Sequence, residues 1–110
     1  RGGENIYPKE IDEFFYTHPK VKDVQVICVP DKQYGEEIMA WIVPKEGEEL
    51  TEEELRAYSL ANMAKHKCPR YFHFVSEFPM NAAAKVLKYK MREMAIEILG
   101  LGEASRIVTA

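Results

Sequence analysis

A chain of 110 residues, 46% apolar and 30% charged with a net charge of −3, has the length of one domain with a small core and the balance of a globular protein. No apolar run approaches the ~20 residues that a membrane-crossing helix requires, and the polar opening at Arg1 reads as neither signal nor transit peptide. Two cysteines, Cys28 and Cys68, are too few for a disulfide framework, so a reducing, cytoplasmic setting is expected.

In chain order, "ENIYPKEIDEFFYTHPKV" predicts a helix that Pro8 begins, because proline's missing N–H would have had no partner at the first helical position. Ile11, Phe14, Phe15 and His18 recur at helical spacing and give one core-facing stripe; Pro19 stops the helix. "VKDVQVICVP" (21–30) is β-branched and apolar on both alternating faces, as suits a strand covered on both sides. "DKQYGEE" turns the chain into "IMAWIVP" (38–44), and the two strands predict a hairpin with a loop of five to seven residues.

After the acidic "EGEEL", Thr51 and Glu54 form a capping-box signature. It starts a helix through about Lys65, with Leu55, Tyr58, Ala61 and Ala64 on the apolar face, and Pro69 bars its continuation. "RYFHFV" (70–75) predicts a short third strand. A loop then leads to a last helix with Leu87, Met91, Met94, Ala95 and Ile98 as its apolar face and Gly100 and Gly102 at its end. The order α-β-β-α-β-loop-α predicts an α+β (mixed α/β) domain. It would hold a small three-stranded sheet flanked by helices, with room for an additional short hairpin.

Three stretches could carry chemistry. In "RGGEN", Gly2 and Gly3 permit positive φ and close approach of another molecule, or they are a pliable lead into the first helix; their spacing is no dinucleotide fingerprint. "KHKCPRY" gathers Lys65, His66, Lys67 and Arg70 where cations either complement a helix dipole or contact phosphate. Residues 1–60 carry 7 Lys and Arg against 14 Asp and Glu, a balance of −7, whereas residues 61–110 carry 8 against 4, a balance of +4. The second half is therefore the candidate phosphate face.

His66 and Cys68, with His18 or His73, match no standard zinc spacing, and no metal site is expected. Lys85 follows three alanines. A lysine is a compact cation with three donors on a long stem, suited to neutralising phosphate or carboxylate oxygens in a transition state; it is equally read as a solvated lysine like Lys88 or Lys90. With no serine beside a base, no paired carboxylates and no Walker motif, the chain is no self-contained enzyme. Tyr71, Phe72, Phe74 and Tyr89 could serve as base-stacking platforms, but burial in a strand explains them more simply, and no nucleic-acid partner is expected.

Taken together, "RGGENIYPKEIDEF", "HPKVKDVQVICVPDKQYGEEIMAWIV", "HKCPRYFHFV" and "FPMNAAAKVLKYKMRE", in this order and nearly to Leu99, closely resemble the C-terminal domain of AMP-forming acyl-CoA synthetases. These belong to the adenylate-forming superfamily, and the fatty and medium-chain acyl ligases look most alike. The resemblance implies an acid–thiol ligase that joins a carboxylic acid to ATP as acyl-adenylate and then transfers the acyl group to CoA. It implies that residues 1–110 are a mobile lid for an N-terminal domain, which would hold most of the nucleotide site and the Mg2+. The chain would thus be a piece of a longer protein, inactive alone, with its hinge a few positions before Arg1.

By the same resemblance, Lys85 matches the catalytic lysine. Gly2, Gly3, Glu4 and Asn5 match the motif beside the pantetheine tunnel of CoA, and Lys67 and Arg70 are expected near the CoA phosphates. An adenylation domain that loads a carrier protein is the alternative within the superfamily; a free-standing phosphate- or nucleic-acid-binding module is the alternative outside it. The family's last loop reads Pro-x-Thr-x-x-Gly-Lys, where this chain has Pro79, Met80, Asn81, Ala82, Ala83, Ala84 and Lys85. Ala84 is uncomfortable there if the loop needs positive φ, whereas Asn81 retains hydrogen-bonding capacity.

Overall fold

The β-branched run Val21–Asp31 (β1) lies antiparallel against Gly35–Pro44 (β2), from Val21 opposite Pro44 to Asp31 opposite Gly35, with a register shift between Val21 and Asp23. A short third strand, Tyr71–Phe74 (β3), runs parallel to β2, so the sheet order is β1-β2-β3. This computed structural model describes residues 7–31 and 35–100. Pairing through Asp31 and Gly35 shortens the expected hairpin loop to residues 32–34, which lie outside the described residues. Gly35, at φ +84°, takes a backbone conformation that L side chains resist and lets the ladder start at once.

Alternation sends the two apolar sets of each strand to opposite faces. On one face Val24, Val26, Ile38, Ala40, Ile42 and Phe72 meet helix α1 (Pro8–Tyr16) through Ile11 and Phe15, and helix α2 (Glu52–Asn62) through Leu55. On the other, Ile27, Val29, Met39, Trp41 and Val43 meet Phe78 and the Met91 and Ala95 side chains of helix α3 (Lys88–Leu99). The sheet is thus covered on both faces, as the doubly apolar strands predict.

The Thr51 hydroxyl accepts the Glu54 N–H at 3.2 Å, giving α2 the N-cap predicted for it. The helix ends at Asn62 rather than near Lys65, and only a single 3-10 turn, Lys65–Lys67, follows. Its buried stripe is Leu55 and Ser59, while Ala61 and Ala64 are exposed, against expectation. Ser59 can be buried because its hydroxyl donates to the Arg56 carbonyl at 3.0 Å. Met63 leaves the helix in extended backbone and packs against the core, which ends the turn there.

In α3 the buried pair is Met91 and Ala95; Met94 and Ile98, expected on that face, are exposed. Two cations set this rotation. Lys88 Nζ donates to the Val26 carbonyl at 3.0 Å, and Arg92 donates to the Cys28 carbonyl and, at 3.0 Å, to Glu36. Both carbonyls lie on the outer edge of β1, where no further strand pairs among the described residues. On the same edge the Val26 N–H donates to Asp12 Oδ1 at 2.7 Å and the Val24 N–H to Asp23 Oδ1 at 2.9 Å, and Pro30 has no N–H to offer.

Gly100, at φ +67°, caps α3 in the left-handed conformation, as predicted; Gly102 lies outside the described residues. Cys28 and Cys68 are not joined in a disulfide. Among the described residues no helix is long and apolar enough to cross a membrane.

The Tyr16 hydroxyl donates to Asp23 Oδ1 across the α1–β1 junction. Burial, and then the hydrogen bond and negative charge of Asp23, push this phenol from 10.0 to about 12. A phenol whose pKa is raised on folding stabilises the fold fully below pH 10 and loses that contribution as pH rises through about 12. Titration of phenolate absorbance should therefore show one tyrosine ionising near 12. Asp23→Asn should return it part of the way toward 10; an unchanged titration in Asp23→Asn would remove the carboxylate from the account.

Candidate functional site

Lys85 sits on a closed loop between β3 and α3. Phe78, buried in the α3-side core, anchors the near end. Met80 and Val86 then form an isolated antiparallel bridge, and the Leu87 N–H donates to the Pro79 carbonyl at 2.9 Å. This is the short hairpin for which the sequence left room. Between the two arms Asn81 Oδ1 accepts the N–H of Ala83 at 2.9 Å and that of Lys85 at 3.0 Å. Residues 81–85 are all exposed, so the Lys85 ammonium stands clear of the domain on a stem of small neighbours.

Ala84 has φ +62°, the one positive value at a non-glycine among the described residues. The left-handed region costs an L residue ~1–2 kcal/mol through contact of Cβ with the following carbonyl. The discomfort read from the sequence is thus a feature of the folded loop. Hydrogen bonds at ~0.5–1.5 kcal/mol each offset it, and two of these come from the Asn81 side chain.

Lys67 and Arg70 belong to the segment that joins α2 to β3. Lys67 Nζ pairs with Glu10 Oε1 of α1 at 2.7 Å, and Arg70 pairs with Asp31 at 3.5 Å. Sequence reading missed what shapes this segment: Arg56 of α2. Its guanidinium donates to the Pro69 carbonyl at 3.2 Å, to the Arg70 carbonyl at 3.0 Å and to Glu52 at 2.6 Å, and lies over the Phe72 ring. A planar fork with five donors can satisfy several acceptors at once. The only prior signal was Glu52 at i−4, which marks a helix-face pair and nothing more.

The structure places Lys67 and the root of the Lys85 loop on different faces of the sheet, while the Arg70 guanidinium lies over the Tyr71 ring, which packs on the α3 side. Lys85 leads into the helix on one face of the sheet, whereas Lys67 pairs with α1 on the other, and β3 runs between them in the chain. Gly2, Gly3, Glu4 and Asn5 lie outside the described residues.

Among the described residues the other titratable groups offer no rival centre. Burial pushes the Cys28 thiol up, with Glu36 adding to the rise, and burial pushes the His73 imidazole down; at neutral pH both are uncharged. His73 stacks edge-on against Trp41. Among the described residues no group of three or more His, Cys, Asp or Glu could hold a metal ion.

Residues 10–85 match the AMP-binding enzyme C-terminal domain family. A Bacillus subtilis (strain 168) protein, YngI, is 52% identical over 104 residues, 94% of this chain and 19% of that protein. The mitochondrial medium-chain acyl-CoA ligase ACSF2 of Danio rerio is 48% identical over 101 residues, 92% of this chain and 17% of the ligase. In structure the chain is similar to ATP-bound MatB from Rhodopseudomonas palustris, with a TM-score of 0.83 and 34% identity over 88% of this chain and 19% of that one. The chain spans about a fifth of the length of the curated relatives it matches.

An exposed Ala→Gly change ordinarily costs ~0.5–1 kcal/mol of conformational entropy. At residue 84 it also removes the left-handed strain, so Ala84→Gly should leave stability unchanged or raise it by up to about 1 kcal/mol. Urea unfolding of the two proteins measures this. A full ~1 kcal/mol loss would mean that Ala84 is not held at positive φ in solution.

Proposed function

The chain belongs to the AMP-binding enzyme C-terminal domain family, and we propose that it serves as the mobile lid of an AMP-forming acyl-CoA synthetase. The observation that carries this reading is the exposed Lys85 at the tip of its closed loop, which leads into α3 on one face of the sheet while Lys67 pairs with α1 on the other. A lid with two working faces can present one to each half-reaction.

In the first half-reaction a carboxylate oxygen of the acid attacks the α-phosphorus of ATP. The bond to the β-phosphate breaks, and acyl-adenylate and pyrophosphate form. Negative charge gathers on the phosphoryl oxygens, and a preorganised ammonium there is worth far more than in water; this is the role we assign to Lys85. In the second, the CoA thiol loses its proton and its sulfur attacks the acyl carbonyl carbon, expelling AMP. Lys67 and Arg70 would bind CoA phosphates by charge-assisted hydrogen bonds, while Gly2, Gly3, Glu4 and Asn5 would border the pantetheine.

The acid, ATP, CoA and an N-terminal domain are the partners of this reading, and Mg2+ would accompany ATP on residues outside this chain. A fatty or other carboxylic acid is the substrate class, supported by a relative named as a medium-chain acyl-CoA ligase. Two cysteines outside any disulfide suit a reducing compartment such as the cytoplasm; the Danio rerio relative is named as mitochondrial.

Two variants of the full-length enzyme test the division of labour. Lys85→Ala should reduce acyl-adenylate formation by about 100- to 1000-fold, the usual cost of one preorganised stabilising group, while supplied acyl-adenylate still reacts with CoA at a near-normal rate. Equal damage to both steps, or to neither, sinks the assignment. Lys67→Ala should raise the apparent KM for CoA by about 10-fold and leave pyrophosphate release nearly unchanged. A matching loss in pyrophosphate release would point instead to the Glu10 pair as a folding contact.

A further inference from the structure

Lys85 is held at both ends of its own backbone by one residue. The Lys85 N–H donates to Asn81 Oδ1 at 3.0 Å, and the Lys85 carbonyl accepts the Asn81 N–H at 3.0 Å. Asn81 also takes the Ala83 N–H on its side-chain oxygen at 2.9 Å and the Ala84 N–H on its main-chain carbonyl at 3.0 Å. Packing contributes little here, because every residue from 81 to 85 is exposed.

The peptide that needs this grip is the one just before Lys85. Ala84 is at φ +62°, and an L residue left to itself relaxes to negative φ. That rotation would turn the Ala84–Lys85 peptide and swing the Lys85 stem to another direction. Glycine in the same place would feel no such pull. This chain therefore carries a strained residue beside the ammonium and, three residues earlier, a side chain whose oxygen takes two N–H groups of the turn.

We infer that Asn81 is the positioning residue for Lys85, acting through the loop backbone and touching no substrate itself. The inference rests on the reading of Lys85 as the adenylation lysine. Misplacing a reacting or stabilising group by about an ångström can cost ~100-fold in rate, so the loss on removing Asn81 should approach that figure without reaching the loss for removing the ammonium.

The test uses the full-length enzyme and measures the two half-reactions separately. Asn81→Ala should lower kcat for acyl-adenylate formation by about 10- to 100-fold. The KM for ATP should stay within about threefold and the rate from supplied acyl-adenylate and CoA should not change. Asn81→Thr, whose hydroxyl can accept a nearby N–H in the same kind of turn, should recover most of the loss. The untouched second half-reaction serves as the control for folding. Proportional losses in both half-reactions, or no recovery with threonine, would overturn the inference by making Asn81 a general structural residue. If Lys85→Ala abolishes adenylation and Asn81→Ala leaves it intact, the positioning role fails while the lysine assignment stands. If Lys85→Ala leaves adenylation intact, both fall together.

Discussion

The outer edge of β1 is the constraint on which the rest of this domain depends. An edge strand presents backbone groups that no neighbouring strand pairs, and leaving them buried and unmade costs ~1–3 kcal/mol each. Here side chains answer them: Asp12 from α1 takes the Val26 N–H, and Lys88 and Arg92 from α3 take the Val26 and Cys28 carbonyls. Burial raises the Asp12 carboxyl above its usual range, while Lys88 and the Val26 N–H pull it back down. One stretch of strand thereby fastens a helix of each face to the sheet, and does so in register, because every contact falls on alternate residues.

This edge reaches the candidate site through chain connectivity. Lys88, the first residue of α3, is tied to β1 only three positions after Lys85. Phe78 fixes the other arm in the core. The loop is anchored at both feet and exposed at its tip, a build that suits the role proposed for Lys85. The second cluster is held differently, by the Arg56 fork on two consecutive carbonyls. Each cluster can keep its geometry without reference to the other.

Much of this was legible in the chain. The two doubly apolar strands announced a sheet covered on both faces, and Pro8, Thr51 and Gly100 marked helix ends by local chemistry alone. The faces of α2 and α3 were misread because periodicity reports which residues are apolar, not which of them a helix presses on the sheet. Ala61 and Ala64 lose little by exposure, and the stems of Lys88 and Arg92 outcompete Met94 and Ile98 for the sheet edge. At the site, the Lys85 loop could be read from its motif and even its strain from Ala84. What Asn81 does could not, since its role depends on the loop closing back so that Lys85 returns to it. Arg56 was hidden for a similar reason, its partners lying 13 and 14 residues away in another segment.

The ion pairs of Lys67 with Glu10 and Arg70 with Asp31 have one more consequence. They make this surface an ion exchanger carrying its own counterions. An arriving phosphate adds its charge to a site already balanced, so it must evict a carboxylate, and the evicted Glu10 or Asp31 remains tethered nearby as a competitor. Binding of this kind is governed by the difference between two anions for one cation. On the proposed reading of Lys67 and Arg70 as phosphate contacts, such binding should saturate weakly and release readily.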